Sequence, residues 1–167
     1  MEYQDLLSSI PQVGQVRWIG VRPARIQPLT VVNEVAVDEQ CGLSGDRFDG
    51  GANKSRQVTL IQFEHLQAMA DILGRQPIDP GLLRRNIVVS GINLQSLKDQ
   101  YFQIGSAILW GTGDCAPCRR MEENLGPGGY NAMRGHGGLT ARVHQSGTIR
   151  VGDRVVALPA TVVQQAD

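Results

Sequence analysis

The fold class of this chain is decided by the stretch Leu139-Thr-Ala-Arg-Val-His-Gln-Ser-Gly-Thr-Ile-Arg-Val-Gly-Asp-Arg-Val-Val-Ala-Leu158. Apolar and polar residues alternate in both of its halves and β-branched residues are frequent, a pattern that predicts strands over 139–144 and 148–158. Gly152-Asp153 has the composition of a tight turn, so residues 149–156 are predicted to form a closing hairpin. This end of the chain is therefore expected to be all β.

The rest of the chain consists of short segments separated by many of its 20 glycines and 8 prolines. One convincing amphipathic helix is predicted from Phe63 to Leu73, with Gly74 as its C-cap. Short strands at close spacing with few helices predict a mainly β fold, a closed or partly closed β-barrel with a few short helical insertions, in one domain over 1–167. Further strands are predicted over 13–21, 30–37, 57–61, 86–90 and 102–110, and short helical turns over 3–9, 80–84, 119–124 and 129–133.

The charge balance and the cysteine count restrict the expected partners and compartment. Sixteen basic residues offset sixteen acidic ones, so neither nucleic acid nor an anionic membrane surface is an expected partner. The first residues have no basic, apolar leader, and no run reaches the roughly 18 apolar residues that a spanning helix needs. Three cysteines are too few for a disulfide-stapled secreted scaffold. A cytoplasmic protein with free thiols is therefore expected.

Two of these cysteines, Cys115 and Cys118, lie in Gly111–Met121, where a strand-like run passes into a turn and a short helical segment. Free backbone N–H groups of the turn, together with Arg119 and Arg120, favour the thiolate form of a cysteine. A thiolate can be a metal ligand, a sulfur carrier or a redox centre. This stretch is therefore predicted to carry the chemistry of the protein.

The spacing of the two cysteines is compatible with three other interpretations. A dithiol of thioredoxin type belongs at the start of a long helix in a βαβ unit, whereas here the glycines and proline of 126–129 end any helix quickly. Two small buried hydrophobic residues are the commonest outcome for free cysteines, but Asp114, Arg119 and Arg120 disfavour deep burial of both. A structural zinc site would need two more ligands, and these would have to come from residues without paired spacing, namely Cys41, His65, His136 and His144.

A second candidate site precedes the predicted strand at 86–90. Arg84 and Arg85 can grip phosphate with their guanidinium groups, and Asn86 can present donors and acceptors to the edge of a heterocycle. The alternative is a solvated helix end, in which the two arginines lie beside its C-terminal carbonyls.

A third candidate site is a glycine-rich loop with basic residues. Arg47, Lys54 and Arg56 fall within ten positions of one another, so the loop can close over an anionic ligand. Basic residues of loops are more often simply solvated, and this alternative stays open.

A fourth candidate site is the segment Gly135-His-Gly-Gly-Leu-Thr-Ala-Arg-Val143. Its glycines allow a close approach of the backbone to a ligand, Arg142 would point from the following strand, and His136 could transfer protons near neutral pH. A structural or surface role of His136 is the alternative.

In combination these motifs resemble the MOSC family, the domain named for the C-terminal part of molybdenum cofactor sulfurases. The resemblance runs from about residue 13 to residue 158. It rests on Gly-Leu-Ser-Gly-Asp-Arg at 42–47, Gln-Val-Thr-Leu-Ile-Gln at 57–62, Arg-Asn-Ile-Val-Val-Ser-Gly-Ile-Asn-Leu at 85–94, Pro-Cys at 117–118, Gly-Gly-Leu-Thr-Ala-Arg-Val at 137–143 and Gly-Thr-Ile-Arg-Val-Gly-Asp at 147–153.

The resemblance implies a β-barrel core, a molybdenum cofactor (molybdopterin) and one cysteine that ligates molybdenum or handles sulfur. Cys118 matches that cysteine by its position after proline and before a basic residue, which leaves Cys115 as an auxiliary thiol. Arg84 and Asn86 match the residues that contact the pterin and its phosphate, while Arg85 occupies a position at which relatives vary. The other candidates for cofactor contacts are Arg47, Lys54, Arg56, Arg142 and His136.

Three functions follow from the resemblance. The first is reduction of small N-hydroxylated or related substrates, with electrons from an external donor because the sequence has no flavin, nicotinamide or iron–sulfur motif. The second is a sulfur carrier in which Cys118 holds a persulfide supplied by a cysteine desulfurase, and the third is a non-catalytic cofactor-binding module. Pyridoxal phosphate is not expected on this chain, because neither Lys54 nor Lys98 has a recognisable Schiff-base setting.

Overall fold

The structure is a computed structural model that describes residues 2–48 and 53–163. Its strands are β1 (Val13–Val21), β2 (Thr30–Val32), β3 (Glu34–Asp38), β4 (Gly42–Leu43), β5 (Val58–Gln62), β6 (Ile87–Ser90), β7 (Tyr101–Ile104), β8 (Ala107–Asp114), β9 (Leu139–Gln145), β10 (Gly147–Arg150) and β11 (Arg154–Leu158). Its helices are α1 (Tyr3–Ser8), α2 (Phe63–Leu73), α3 (Arg119–Leu125), α4 (Gly129–Met133) and α5 (Ala160–Val163), with 3-10 turns at Lys54–Arg56, Pro80–Leu83 and Leu94–Leu97.

Seven of the strands form a closed barrel, which confirms the predicted fold class. Their order is β11-β7-β8-β9-β5-β6-β1, and β1 pairs with β11 to close the circle, with Gly14 opposite Val155. All of these pairs are antiparallel except β5 and β6, which are parallel and joined by a crossover that contains α2. β2 extends the sheet from β1, and β10, β3 and β4 form a separate small sheet.

The apolar residues of β5 and β6 alternate between two cores. Leu60 and Ile87 belong to the cluster that fills the barrel, whereas Ile61 and Val88 belong to a second cluster that also contains residues of α2 and α3. All four side chains are almost completely buried. Because both faces of this strand pair are covered, successive apolar residues occur in it, as in Leu60-Ile61 and Ile87-Val88. Met121 and Leu125 anchor α3 beside the barrel.

The helices are short, and α2, with 11 residues, is the longest in the described parts of the chain. It buries Leu66, Met69 and Ala70, and Gly74 ends it in the left-handed conformation, as predicted. In those same parts, no helix is both long enough and apolar enough to cross a membrane.

The predicted hairpin over 149–156 is wrong. β10 pairs with β3, while β11 pairs with β7 and β1, so the two strands diverge into different sheets. The turn between them is bonded to β1 instead: Gly152 N–H donates to the carbonyl of Val16 at 2.8 Å, and Val16 N–H donates to the carbonyl of Asp153 at 2.9 Å. A turn whose backbone groups are taken by a third strand cannot set the two-strand register of a hairpin.

Candidate functional site

A pocket of about 450 Å³ lies at one end of the barrel. β1 ends here, and β6, its antiparallel partner, begins here, with Ile19 opposite Ile87. The start of β5 is at this end because β5 runs parallel to β6, with Leu60 opposite Ile87. The loop that follows β8 adds Ala116 and Cys118 to the lining. The loops that follow or precede these strands form the walls of the pocket, which we call the Cys118 pocket.

Cys118 and Cys115 have opposite environments. Cys118 is exposed, lines the pocket and is the N-cap residue of α3, with its carbonyl accepting a bond from Met121 N–H at 2.8 Å. Cys115 is 1% exposed, and its Sγ accepts a bond from Nη2 of Arg56 at 3.6 Å. The thiol open to ligands in the pocket is therefore that of Cys118.

A metal at Cys118 would have few protein ligands. Within residues 2–48 and 53–163, no group of three or more histidine, cysteine, aspartate and glutamate side chains is arranged to hold a metal ion. The third cysteine, Cys41, is exposed and is not among the described residues that line the pocket. Among the described residues, a metal held by Cys118 would thus have at most one further histidine, cysteine, aspartate or glutamate ligand, and a bound cofactor or solvent would supply the rest.

The pocket is strongly cationic. Five arginines line it, and Asp46 is its only carboxylate in the described part of the chain. Oδ1 of Asp46 already accepts bonds from the Arg22 backbone N–H at 2.8 Å and from Nδ2 of Asn86 at 3.2 Å. No ion pair of the described residues joins a pocket arginine to a carboxylate. The arginines are Arg22, Arg47, Arg56, Arg84 and Arg85.

The pKa values of two of these arginines, Arg22 and Arg84, are lowered by burial and by the neighbouring positive charges. Burial lowers the pKa of Arg84, and the nearby charges of Arg22 and Arg120 lower it further. Burial also lowers the pKa of Arg22; Asp46 opposes this shift, and Arg47 and Arg120 reinforce it. An anion bound between Arg22 and Arg84 would relieve the mutual repulsion of their positive charges.

Arg84 owes its position to an unusual backbone conformation. It follows the 3-10 turn Pro80–Leu83 with φ 58° and ψ 32°, in the left-handed region, where a non-glycine residue costs on the order of 1 kcal/mol. Its carbonyl accepts a bond from Nη2 of Arg22 at 3.4 Å, while its own guanidinium bonds to no other described residue. This conformation places a free cationic group immediately before β6.

Asn86 lines the pocket but is only 5% exposed, and the protein uses all four of its side-chain hydrogen-bond positions. Its Oδ1 accepts bonds from Thr59, from N–H at 3.1 Å and from Oγ1 at 2.8 Å. Its Nδ2 donates to the carbonyl of Gly20 and to Oδ1 of Asp46, both at 3.2 Å. A contact of Asn86 with a pterin requires that one of these bonds be exchanged.

Arg22 and Arg84 also line an adjoining cavity of about 500 Å³. The lining of this cavity also contains apolar side chains, among them Ile26, Pro28 and Leu82. The two arginines therefore lie at the boundary between a cysteine-lined pocket and a partly apolar one, an arrangement suited to a ligand with an anionic group next to an apolar or aromatic part.

Lys54 and Arg142 are not brought to the Cys118 pocket. They line a separate cleft of about 590 Å³ together with Trp110 and His144. Nζ of Lys54 donates a hydrogen bond to Oε1 of Gln40 at 2.6 Å, and this bond keeps the ammonium group of Lys54 in that cleft. The turn that contains Lys54 divides the two sites, since its last residue, Arg56, lines the Cys118 pocket.

His136 likewise lies outside the lining of the Cys118 pocket. Its Nδ1 is 2.9 Å from the carbonyl of Ala132, and its ring meets the ring of His65 edge to face at 4.9 Å between centroids. Burial lowers the pKa of His65, and the neighbouring His136 lowers it further. The two imidazoles form a packed pair between α2 and the loop before β9.

Sequence reasoning did not single out Arg22 as a site residue, although it lines both the Cys118 pocket and the adjoining cavity. The sequence did contain a signal: Arg22 directly follows the predicted strand 13–21, just as Arg84 lies shortly before the predicted strand 86–90. Because β1 and β6 are antiparallel neighbours, the end of one and the start of the other coincide in space.

Comparison with known proteins agrees with this architecture. The family model for the MOSC domain matches residues 45–156. The YuaD protein from Bacillus subtilis has a similar structure, with a TM-score of 0.76 and 20% sequence identity over 87% of this chain and 96% of that one. YiiM from Geobacillus stearothermophilus follows with a TM-score of 0.71 and 21% identity over 87% of this chain and 75% of that one.

YiiM from Escherichia coli has a TM-score of 0.67 and 16% identity over 87% of this chain and 70% of that one. At these levels of identity, the solved structures establish a shared fold. The search of curated proteins found no significant match.

Proposed function

Because the chain belongs to the MOSC domain family, which is associated with binding of the molybdenum cofactor, we propose that it binds this cofactor in the Cys118 pocket and reduces small N-hydroxylated or related oxidised substrates with electrons from an external donor. The observation that carries the proposal is an exposed cysteine among arginines that have no carboxylate partners in the described residues.

The residues of the pocket fit such a cofactor. Thiolates are soft ligands, and Cys118 complements the two dithiolene sulfurs that the pterin brings to molybdenum. The phosphate of the pterin needs cationic donors, which Arg22 and Arg84 offer at the edge of the pocket, with Arg47 and Arg56 on its walls. When bound, the cofactor supplies a two-electron redox centre at its metal.

The reduction is balanced by two electrons and two protons. The N–O bond of the substrate breaks, and an amine and water leave. No histidine lines the Cys118 pocket within the described ranges, and Asp46 is engaged by Arg22 and Asn86. In the proposed reaction solvent water would supply the protons, the arginines would orient the anionic groups, and Cys118 would hold the metal.

Metal and pterin analysis tests this proposal. We expect the protein purified from a molybdenum-replete host to contain molybdenum and to release a fluorescent oxidised pterin, and to reduce an N-hydroxylated compound with a chemical electron donor. Cys118→Ser should lose the metal, whereas Cys41→Ser, which changes an exposed cysteine away from the pocket, should retain it. Protein that cannot be loaded with cofactor refutes the proposal, and a loaded protein without turnover indicates a non-catalytic binding module.

A sulfur carrier is the second candidate function, and the exposure of Cys118 among cations favours it too, because these charges would stabilise an anionic persulfide. Incubation with a cysteine desulfurase and cysteine should then add about 32 Da, the mass of one sulfur atom, to Cys118. Addition only to Cys115 or Cys41 would contradict the assignment of Cys118.

A further inference from the structure

Arg85 differs from the other arginines of the pocket in what its guanidinium binds. The side chain is 5% exposed and donates to backbone carbonyls of three separate segments. Nε donates to Gly137 at 2.8 Å, Nη1 to Leu83 at 3.0 Å, and Nη2 to Cys115 at 2.9 Å and to Ala116 at 3.4 Å. Its donors are thus directed at the protein, whereas those of Arg84 have no hydrogen-bond partner among residues 2–48 and 53–163.

The loop that precedes β9 also contacts the segment that Arg85 holds. Cys115 N–H donates to the carbonyl of Gly138 at 2.9 Å. A Cβ atom on Gly137 would lie 2.1 Å from the carbonyl oxygen of Cys115, so the two backbones are in direct contact. The Cys115 backbone is therefore clamped by Arg85 together with the loop that precedes β9.

This clamp acts three residues before Cys118. Pro117 restricts the backbone immediately before the exposed cysteine, and Met121 anchors α3 immediately after it in the second core. The chain between two such fixed points has little freedom, so the direction of the Cys118 side chain depends on where the carbonyls of Cys115 and Ala116 are held.

We propose that Arg85 is a positioning residue, which sets the place of the Cys118 thiol in the pocket through its bonds to the carbonyls of Cys115 and Ala116. This inference rests on the proposed function in taking Cys118 as the working thiol. Residues that orient a metal ligand without touching the metal typically change metal affinity by about ten- to hundred-fold when altered. Arg84 and Arg85, adjacent in sequence, thus have different tasks: the first faces a ligand and the second holds a loop.

The test uses a fluorine label on Cys118 and needs no cofactor. In a Cys41→Ser background, a trifluoromethyl thiol reagent should react with the exposed Cys118 and leave the buried Cys115 unmodified. We expect one sharp fluorine resonance in this parent protein. Arg85→Lys, which retains the charge but not the planar set of donors, should broaden or split that resonance, and Arg84→Lys, the matched control, should leave one sharp line.

Unlabelled samples of the same variants are then loaded with cofactor. We expect Arg85→Lys to lose molybdenum on dilution about ten- to hundred-fold faster than the parent protein. A parent-like single resonance and parent-like metal retention in Arg85→Lys would overturn the proposal. If the parent protein takes up no cofactor, the proposed function fails, but the fluorine comparison still decides the role of Arg85.

Folding of the variants is checked by circular dichroism. Where Arg85→Lys is unfolded, Arg85→Gln, which retains two amide donors, replaces it. If neither variant folds, Arg85 supports the whole fold and a specific positioning role is refuted.

Discussion

Nη2 of Arg56 lies 3.6 Å from the Sγ of Cys115, so an arginine on the wall of the Cys118 pocket is bonded to the buried cysteine of the pair. The two thiols are thus unequal before any ligand binds. One is packed, hydrogen-bonded and 1% exposed, and the other is open to the pocket. Their different accessibility leads to the first prediction.

We expect Cys118→Ser to abolish cofactor retention and activity, because a neutral hydroxyl is a poor ligand for molybdenum. Cys115→Ser should leave retention largely intact, since the hydroxyl can still accept a bond from Arg56, and should lower the free energy of unfolding by about 1 kcal/mol. Molybdenum content and urea denaturation of both variants provide the measurement. Full activity of Cys118→Ser would refute the central assignment.

We expect Arg84→Met to weaken binding of the phosphate-bearing ligand by about ten- to hundred-fold, because a hydrogen bond to a charged group contributes roughly 1.5–3 kcal/mol. Arg22→Met should behave similarly, and both effects should diminish at high salt. Calorimetric titration with a phosphorylated pterin gives the affinities. Arg142→Met, in the separate cleft, is the control, and an equal loss there would show that the charge of the whole protein rather than the pocket is responsible.

We expect Asn86→Leu to destabilise the protein by about 2–3 kcal/mol, because it leaves buried groups of Thr59 and Gly20 without partners. Asn124→Ala removes one bond from an exposed amide to the carbonyl of Leu82 and should cost about 0.5 kcal/mol or less. Urea denaturation measures both. Equal effects of the two substitutions would mean that the Asn86 network contributes nothing beyond an ordinary surface hydrogen bond.

The histidine pair makes stability depend on pH. Burial and the neighbouring His136 lower the pKa of His65 from its ordinary value of 6.5, so the unfolded chain binds this proton at a higher pH than the native protein does. The free energy of unfolding should therefore fall as the pH drops below about 6.5 and level off below the native pKa.

Chemical denaturation from about pH 8 to about pH 5 measures this dependence. In His65→Gln the slope should be smaller, with the other two histidines unchanged as an internal reference. An unaltered slope would exclude His65 as its source.

Local patterns determined most of the elements of the fold. The predicted helix from Phe63 to Leu73 and its Gly74 cap, and the strand over 13–21, agree with the structure because periodicity and left-handed caps are properties of neighbouring residues. The hairpin over 149–156 failed because the choice of partner is not local: β1 competes for the turn, and β3 takes one of the two strands.

The sequence by itself determined which kinds of residue the site would contain, namely a cysteine after proline and arginines before and after strands. Only the tertiary structure decided which of them meet. Arg47, Arg56 and Arg84 line the same pocket as Cys118, while Lys54 and Arg142 line another cleft.

Even for two adjacent residues, the sequence alone does not tell which side chain enters the pocket. Arg84 and Arg85 look alike in sequence, yet the guanidinium of Arg84, whose backbone is left-handed, lines the pocket without a hydrogen-bond partner in the described part of the chain. The guanidinium of Arg85 is buried against the carbonyls of the cysteine loop. The physical reason is that side-chain direction and burial depend on the strand pairing and on the packing of distant segments, which no local pattern encodes.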